Sequence, residues 1–153
     1  MLLEAFRALL QFTTVLPIGR PADFRCFARH SWLYPLAGYV IGGCAAVITF
    51  FVRDPVLAAA IGIATVILLS GANHFDGLLD LGDALMAHGS PEARIRALTD
   101  HSCGAGALTA GVLVTLLAFA SLVSLHPFFW AIIVAEVGAK FSMAAITACG
   151  TPF

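Results

Sequence analysis

Charged residues are scarce in this sequence, making up 11% of its 153 residues, against roughly a quarter in an ordinary soluble domain. Eight Lys and Arg against nine Asp and Glu leave a net charge of -1. That is too little positive charge to capture nucleic acid and too little of either sign for a disordered tail. Cysteines at ligand spacing are also missing. Cys26, Cys44, Cys103 and Cys149 form no CxxC pair, which argues against a disulfide scaffold or a zinc site. No alternating ten-residue strand pattern, internal repeat or low-complexity tract is present, so a membrane β-barrel is disfavoured.

What remains is apolar. Mean hydropathy is +0.95, and the few charges cluster. Leu33 to Val52 is a run of 20 residues without a charge and Pro55 to Asn73 is another of 19, each long enough to cross a hydrocarbon core about 30 Å thick. Ser102 to Ala135 carries no Asp, Glu, Lys or Arg and is interrupted by His126-Pro127, a natural place to turn. This predicts two further spans, at 104–125 and 128–149. Upstream, Glu4, Arg7 and Gln11 share one helical face while Leu2, Leu3, Phe6, Leu9, Leu10 and Thr13 cover the other, the pattern of an amphipathic helix lying at the interface. A cleaved signal peptide is disfavoured because no compact small-residue cleavage site follows.

The reading is therefore an all-α, polytopic membrane helix bundle, a single domain over residues 1–153 with about four spans plus an N-terminal interfacial helix. Arg20, Arg25 and Arg29 place the first loop on the cytoplasmic side. Alternation then puts Arg53-Asp54 outside, the charged segment from Asp76 to His101 inside, and the His126-Pro127 turn outside. Trp32, Phe128, Phe129 and Trp130 lie at span ends and read as interfacial anchors.

In a chain this poor in charge, three of nine acids fall within eight residues. Asp76, Asp80 and Asp83 lie within about 60° of one another on a helix of 100° per residue, with Asn73 beside the same stripe. Carboxylates at i, i+4 and i+7 repel one another, more so in a less polar setting. A hard divalent cation such as Mg²⁺, which takes a few carboxylates together with substrate phosphate, is the simplest compensation. Gly77 and Gly82 weaken a helix by about 1 kcal/mol each relative to Ala, which suggests close approach of backbone, ligand or another helix. The bland alternative is a solvated helix end.

The segment His74-Phe75-Asp76-Gly77-Leu78-Leu79-Asp80-Leu81-Gly82-Asp83-Ala84-Leu85 closely resembles the H-x-D-G-L-x-D-x-x-D-x-L signature of the cobalamin-5'-phosphate synthase family, also called adenosylcobinamide-GDP ribazoletransferase. Phe12 to Ile18 resembles the family's F-x-T-x-x-P opening. Tyr34-Pro35-Leu36-Ala37-Gly38 with Gly42 resembles its P-L-x-G-x-x-x-G first span, and Asp100 with Gly104 its D-x-x-x-G element. The likeness runs to about Gly111. Two departures stand out. Ser102 occupies a position where many members carry Arg, leaving His101 as the neighbouring group able to become cationic. Members are also longer, so the chain is expected to be a fragment or truncated member, incomplete at its C-terminal end.

The resemblance implies a transferase in the membrane of a prokaryote, its site facing the cytoplasm. The 3'-hydroxyl of α-ribazole, or of its 5'-phosphate, attacks the phosphorus next to the cobinamide side of adenosylcobinamide-GDP and releases GMP. Such a transfer needs a clamp for the diphosphate, neutralised phosphate oxygens and an acceptor for the hydroxyl proton. On this reading Asp76 and Asp80 ligate Mg²⁺, and Asp83 is either a third ligand or the proton acceptor. Asp100 is the fourth acid, catalytic or completing the metal site from the next helix, while His74, Arg94 and Gly104 contact substrate. The lipid bilayer is a partner, nucleic acid is not, and homo-oligomerisation is left open.

His74 lies about 160° from the acidic stripe on an unbroken helix. Ser90-Pro91 reads as a helix start, Arg96 as an i, i+4 partner of Glu92 and Asp100, and Glu136-Lys140 as a mutually neutralising pair inside the last span. Gly104 and Gly106 open the third span, where their N–H groups meet phosphate or let helices pack closely. Two other functions compete. A CDP-alcohol phosphotransferase requires D-x-x-D-G-x-x-A-R, which is not matched. A cation transporter would place its acids near the bilayer midplane.

Overall fold

The computed structural model describes residues 2–23, 25, 30–100 and 102–150; Cys26, Arg29 and His101 lie outside them. Among the described residues the chain forms seven α-helices and one 3-10 turn, Ser31–Leu33. The helices are α1 (Leu2–Thr13), α2 (Tyr34–Phe50), α3 (Pro55–Leu69), α4 (Asn73–Met86), α5 (Pro91–Leu98), α6 (Ala105–Ser124) and α7 (Phe129–Cys149). The fold class is all-helical. Ser31–Phe50, α6 and α7 are each long and apolar enough to cross a membrane. A fourth crossing is available if α3 and α4, bent by 93° at the break between them, are one span.

That bend corrects the expectation of an unbroken span from Pro55 to Asn73. α3 starts where the sequence suggests, with Asp54 accepting the Leu57 N–H at 2.7 Å and Pro55 in the first turn. It stops at Leu69 because Gly71 adopts φ +64 and Ala72 φ +59. The Ala72 N–H bonds back to the Ile67 carbonyl and the Gly71 N–H to that of Leu68, the pair of bonds that closes a helix in a Schellman motif. A 15-residue helix is only about 22 Å long, so α3 alone is shorter than the hydrocarbon core. Left-handed backbone is tolerated by Gly but costs an L-residue such as Ala72 roughly 1–2 kcal/mol.

Small residues set the helix packing. A Cβ on Gly38 of α2 would lie 2.7 Å from the Glu136 carbonyl oxygen and the Val137 Cα of α7, and one on Gly42 would lie 2.9 Å from Ile133 Cα. Bare glycines at i and i+4 thus let the two helices meet backbone to backbone. Ala45, Ala46, Ala58 and Ala59 pack with Phe128 and Ile132 in one apolar core. Phe128 is 3% exposed, so it is a core residue and not the interfacial anchor its position suggests, because the alanines of α2 and α3 leave room for its ring. Trp32 and Trp130 remain exposed.

The N-terminal helix forms as expected but is docked. Ala5, Ala8 and Leu9 pack against Leu33, Tyr34 and Ala37, while Leu2, Leu3 and Phe12 stay exposed. Gln11 ties down the following loop: its amide donates to the Ile18 and Arg20 carbonyls and its oxygen accepts the Ala22 N–H. Inside the bundle Lys140, 4% exposed, lies 3.5 Å from Glu136 one turn earlier.

Candidate functional site

The acidic stripe rides on α4, whose Asp76 is exposed and whose Asp80 and Asp83 are half-buried. Over seven residues it extends about 10 Å along the helix. It is held in place by a crossing of α4 and α6 as close as that of α2 and α7. A Cβ on Gly82 would lie 2.7 Å from the Gly106 carbonyl oxygen and 2.6 Å from Ala110 Cβ, and one on Gly106 would lie 2.6 Å from the Gly82 carbonyl oxygen. Of the two readings of Gly104 and Gly106, close packing is what the structure displays at Gly106.

Asp83 sits at the start of α6. Its Oδ2 accepts the Gly104 N–H at 2.7 Å and its Oδ1 accepts the Ala107 N–H at 2.8 Å. Gly104 is the N-cap residue of α6 and has no side chain to offer. The Gly104 amide proposed above for substrate is therefore engaged with a protein carboxylate.

Where α4, α5 and α6 meet, Asp83, His88, Asp100, Ser102, Gly104 and Thr109 help to line an open cavity of about 470 Å³. Asp100 reaches it from the loop after α5, accepting hydrogen bonds from the Ser102 N–H at 3.2 Å and the Ser102 hydroxyl at 2.7 Å. Ser102 thus orients Asp100. The structure brings together Asp83, Asp100 and Gly104, and it adds His88, which the spacing argument passed over. His88 lies two residues past the end of α4, next to Gly89 at φ +109, and this turn glycine was the available signal.

The remaining candidates lie elsewhere. Asp76 and Asp80 are not among the residues lining that cavity. His74 is not among those lining residues either; its Nδ1 is buried without a hydrogen-bond partner, and Lys140 is within electrostatic reach. Arg94 and Arg96 are exposed on α5. That helix begins at Pro91 after Ser90 as the sequence indicates, although the Ser90 side chain makes no capping bond. Instead the Ser90 hydroxyl, with the Glu92 backbone N–H, holds the Glu92 carboxyl below the usual range.

Among the described residues no three His, Cys, Asp or Glu side chains are grouped to hold one metal ion. A cage of Asp76, Asp80 and Asp83 does not fit this arrangement. A lighter site does: Mg²⁺ commonly keeps its waters and binds through one or two carboxylates plus substrate phosphate. Asp76 and Asp80, one helical turn apart and accessible, offer that pair.

The family model described as cobalamin-5-phosphate synthase matches residues 5–153. Among similar proteins are three named adenosylcobinamide-GDP ribazoletransferase. That of Halorubrum lacusprofundi is 37% identical over 165 residues, covering 98% of this chain and 64% of its own length. That of Deinococcus radiodurans is 40% identical over 141 residues, covering 88% and 52%. That of Methanopyrus kandleri is 36% identical over 155 residues, covering 99% and 64%. The chain thus spans between 52% and 64% of the length of these relatives. No solved structure matches it. With a motif-bearing helix, an acid-lined pocket and a family match over nearly its whole length, the chain belongs to the cobalamin-5-phosphate synthase family.

Proposed function

We propose that the protein joins α-ribazole, or its 5'-phosphate, to adenosylcobinamide-GDP with release of GMP, the activity carried in its relatives' names. The observation that supports this best is the acidic stripe of α4 leading into a cavity where Asp83 and Asp100, from separate elements, face one space. In the transfer, the ribazole 3'-oxygen forms a bond to the phosphorus next to cobinamide. The bond from that phosphorus to the bridging oxygen breaks, and GMP leaves. Asp100, oriented by Ser102, accepts the hydroxyl proton. Asp76 and Asp80 would hold Mg²⁺, which would supply neutralisation of charge on the phosphate oxygens. Arg94, exposed on α5, supplies a cationic contact for the diphosphate.

The membrane is that of a prokaryotic cell, with the cavity on the cytoplasmic side. Arg20, Arg25, Arg94 and Arg96 fall on one side of the span alternation, which supports this orientation. The test is GMP release from adenosylcobinamide-GDP and α-ribazole by membranes containing the protein, titrated with Mg²⁺. Release that requires both substrates and is abolished by chelation supports the reading. Release no faster than in membranes lacking the protein overturns it.

A further inference from the structure

Asp83 lines the cavity of the proposed chemistry, and each of its oxygens accepts a backbone N–H from the start of another helix. We infer that Asp83 is a positioning residue, acting as the cap of α6 from another helix and so fixing the wall of the cavity that Asp100 faces. This rests on the proposed transferase reading only for its activity measurements.

A helix N-terminus leaves its first N–H groups without partners. In a capping box, the N-cap side chain accepts from the third helical N–H, and the side chain at that third position accepts from the N-cap N–H. Here Gly104 at the cap and Ala107 at the third position have nothing to give. One carboxylate, from 21 and 24 residues earlier in the chain, accepts both protons at 2.7 and 2.8 Å. Its negative charge also faces the positive end of the α6 dipole. The missing side chain at 104 is part of the arrangement, since a Cβ there would sit 2.6 Å from Asp83 Oδ1. The backbone at Gly104, φ -91 and ψ -174, is extended, so what requires glycine is the carboxylate and not the torsion angle.

That geometry predicts a reversal between two substitutions. Gly104→Asp alone collides with Asp83 and opens the start of α6. In an Asp83→Ala background the space is vacant, and the same Gly104→Asp change places a carboxylate where it caps Ala107 from within α6. The experiment compares the parent, Asp83→Ala, Gly104→Asp and the double variant in membranes, by hydrogen exchange of the segment 102–110 and by GMP release against Mg²⁺ concentration. Expected is at least tenfold faster exchange in each single variant and substantial recovery of protection in the double. GMP release should rise at least tenfold from Asp83→Ala to the double variant, with half-saturation by Mg²⁺ within threefold of the parent.

Unchanged exchange in Asp83→Ala overturns the inference. So does a double variant that regains protection while GMP release stays at the Asp83→Ala level, because a proton acceptor or metal ligand is not replaced by a new cap. If Asp83→Ala yields no folded protein, recovery of folded protein by adding Gly104→Asp supports the inference and continued failure overturns it. Absence of GMP release in the parent counts against the proposed reaction, and exchange then decides the role of Asp83 by itself.

Discussion

Two helix crossings among the described residues are made by glycine, and they differ in what is stored beside them. At the α2–α7 crossing, Gly38 and Gly42 face the backbone of Ile133 to Val137, and the adjoining polar groups, Glu136 and Lys140, lie within one helix and neutralise each other. At the α4–α6 crossing, Gly82 and Gly106 approach as closely, but the adjoining carboxylate is bonded across the interface to the other helix. The first crossing pairs its charges within α7, whereas the second joins its helices by charge-assisted hydrogen bonds and opens onto a cavity with one further acid, Asp100. Close packing is therefore the shared device, and the direction in which the charge is satisfied separates scaffold from site.

The contrast is broken most severely at Gly82. Gly82→Val drives a branched side chain into α6 backbone, and overpacking of this kind costs about 3 kcal/mol. Thermal unfolding in detergent should register that loss, and GMP release per folded molecule should fall more than a hundredfold as the cavity wall shifts. Gly38→Val should lose a similar about 3 kcal/mol of stability, yet turnover per folded molecule should stay within threefold of the parent. Equal loss of turnover in both variants would erase the distinction between the crossings.

The comparison is sharpened by Asp76→Asn and Asp80→Asn, which keep shape and remove charge. Each should cost at least about 2 kcal/mol of barrier, roughly thirtyfold in rate, with partial rescue by excess Mg²⁺ and no drop in melting temperature. Near-parent rates in both would remove the metal from the proposed mechanism. Smallest of all, Glu92→Ala and Arg96→Ala on the exposed helix α5 should leave melting temperature and GMP release unchanged within error. A large rate loss in a well-folded Arg96→Ala protein would move that residue from scaffold to substrate.

The sequence was most legible where a local pattern decides the outcome. Charge-free runs located α2, α6 and α7, since hydropathy and length are properties of a contiguous segment, and the spacing of Asp76, Asp80 and Asp83 put them on one helical face. The bend at Gly71 and Ala72 was hidden because hydropathy is blind to torsion angle: Ser70-Gly71-Ala72 is small and uncharged and reads as the tail of a span. The engagement of Asp83 with Gly104 and Ala107 was hidden for a different reason, as periodicity within α4 says nothing about which donors another helix brings to it. Phe128 was misplaced because its neighbours, four alanines on α2 and α3, are distant in sequence.

The right angle between α3 and α4 has an effect on the acids beyond shortening a span. Had α3 continued straight, Asp76, Asp80 and Asp83 would be strung over about 10 Å of its length, each at a different depth. Turned sideways, α4 sets all three at nearly one level relative to α3. Asp76 and Asp80 then lie side by side along the flank of α4, as ships lie along a quay, while Asp83 at the far end is moored to α6.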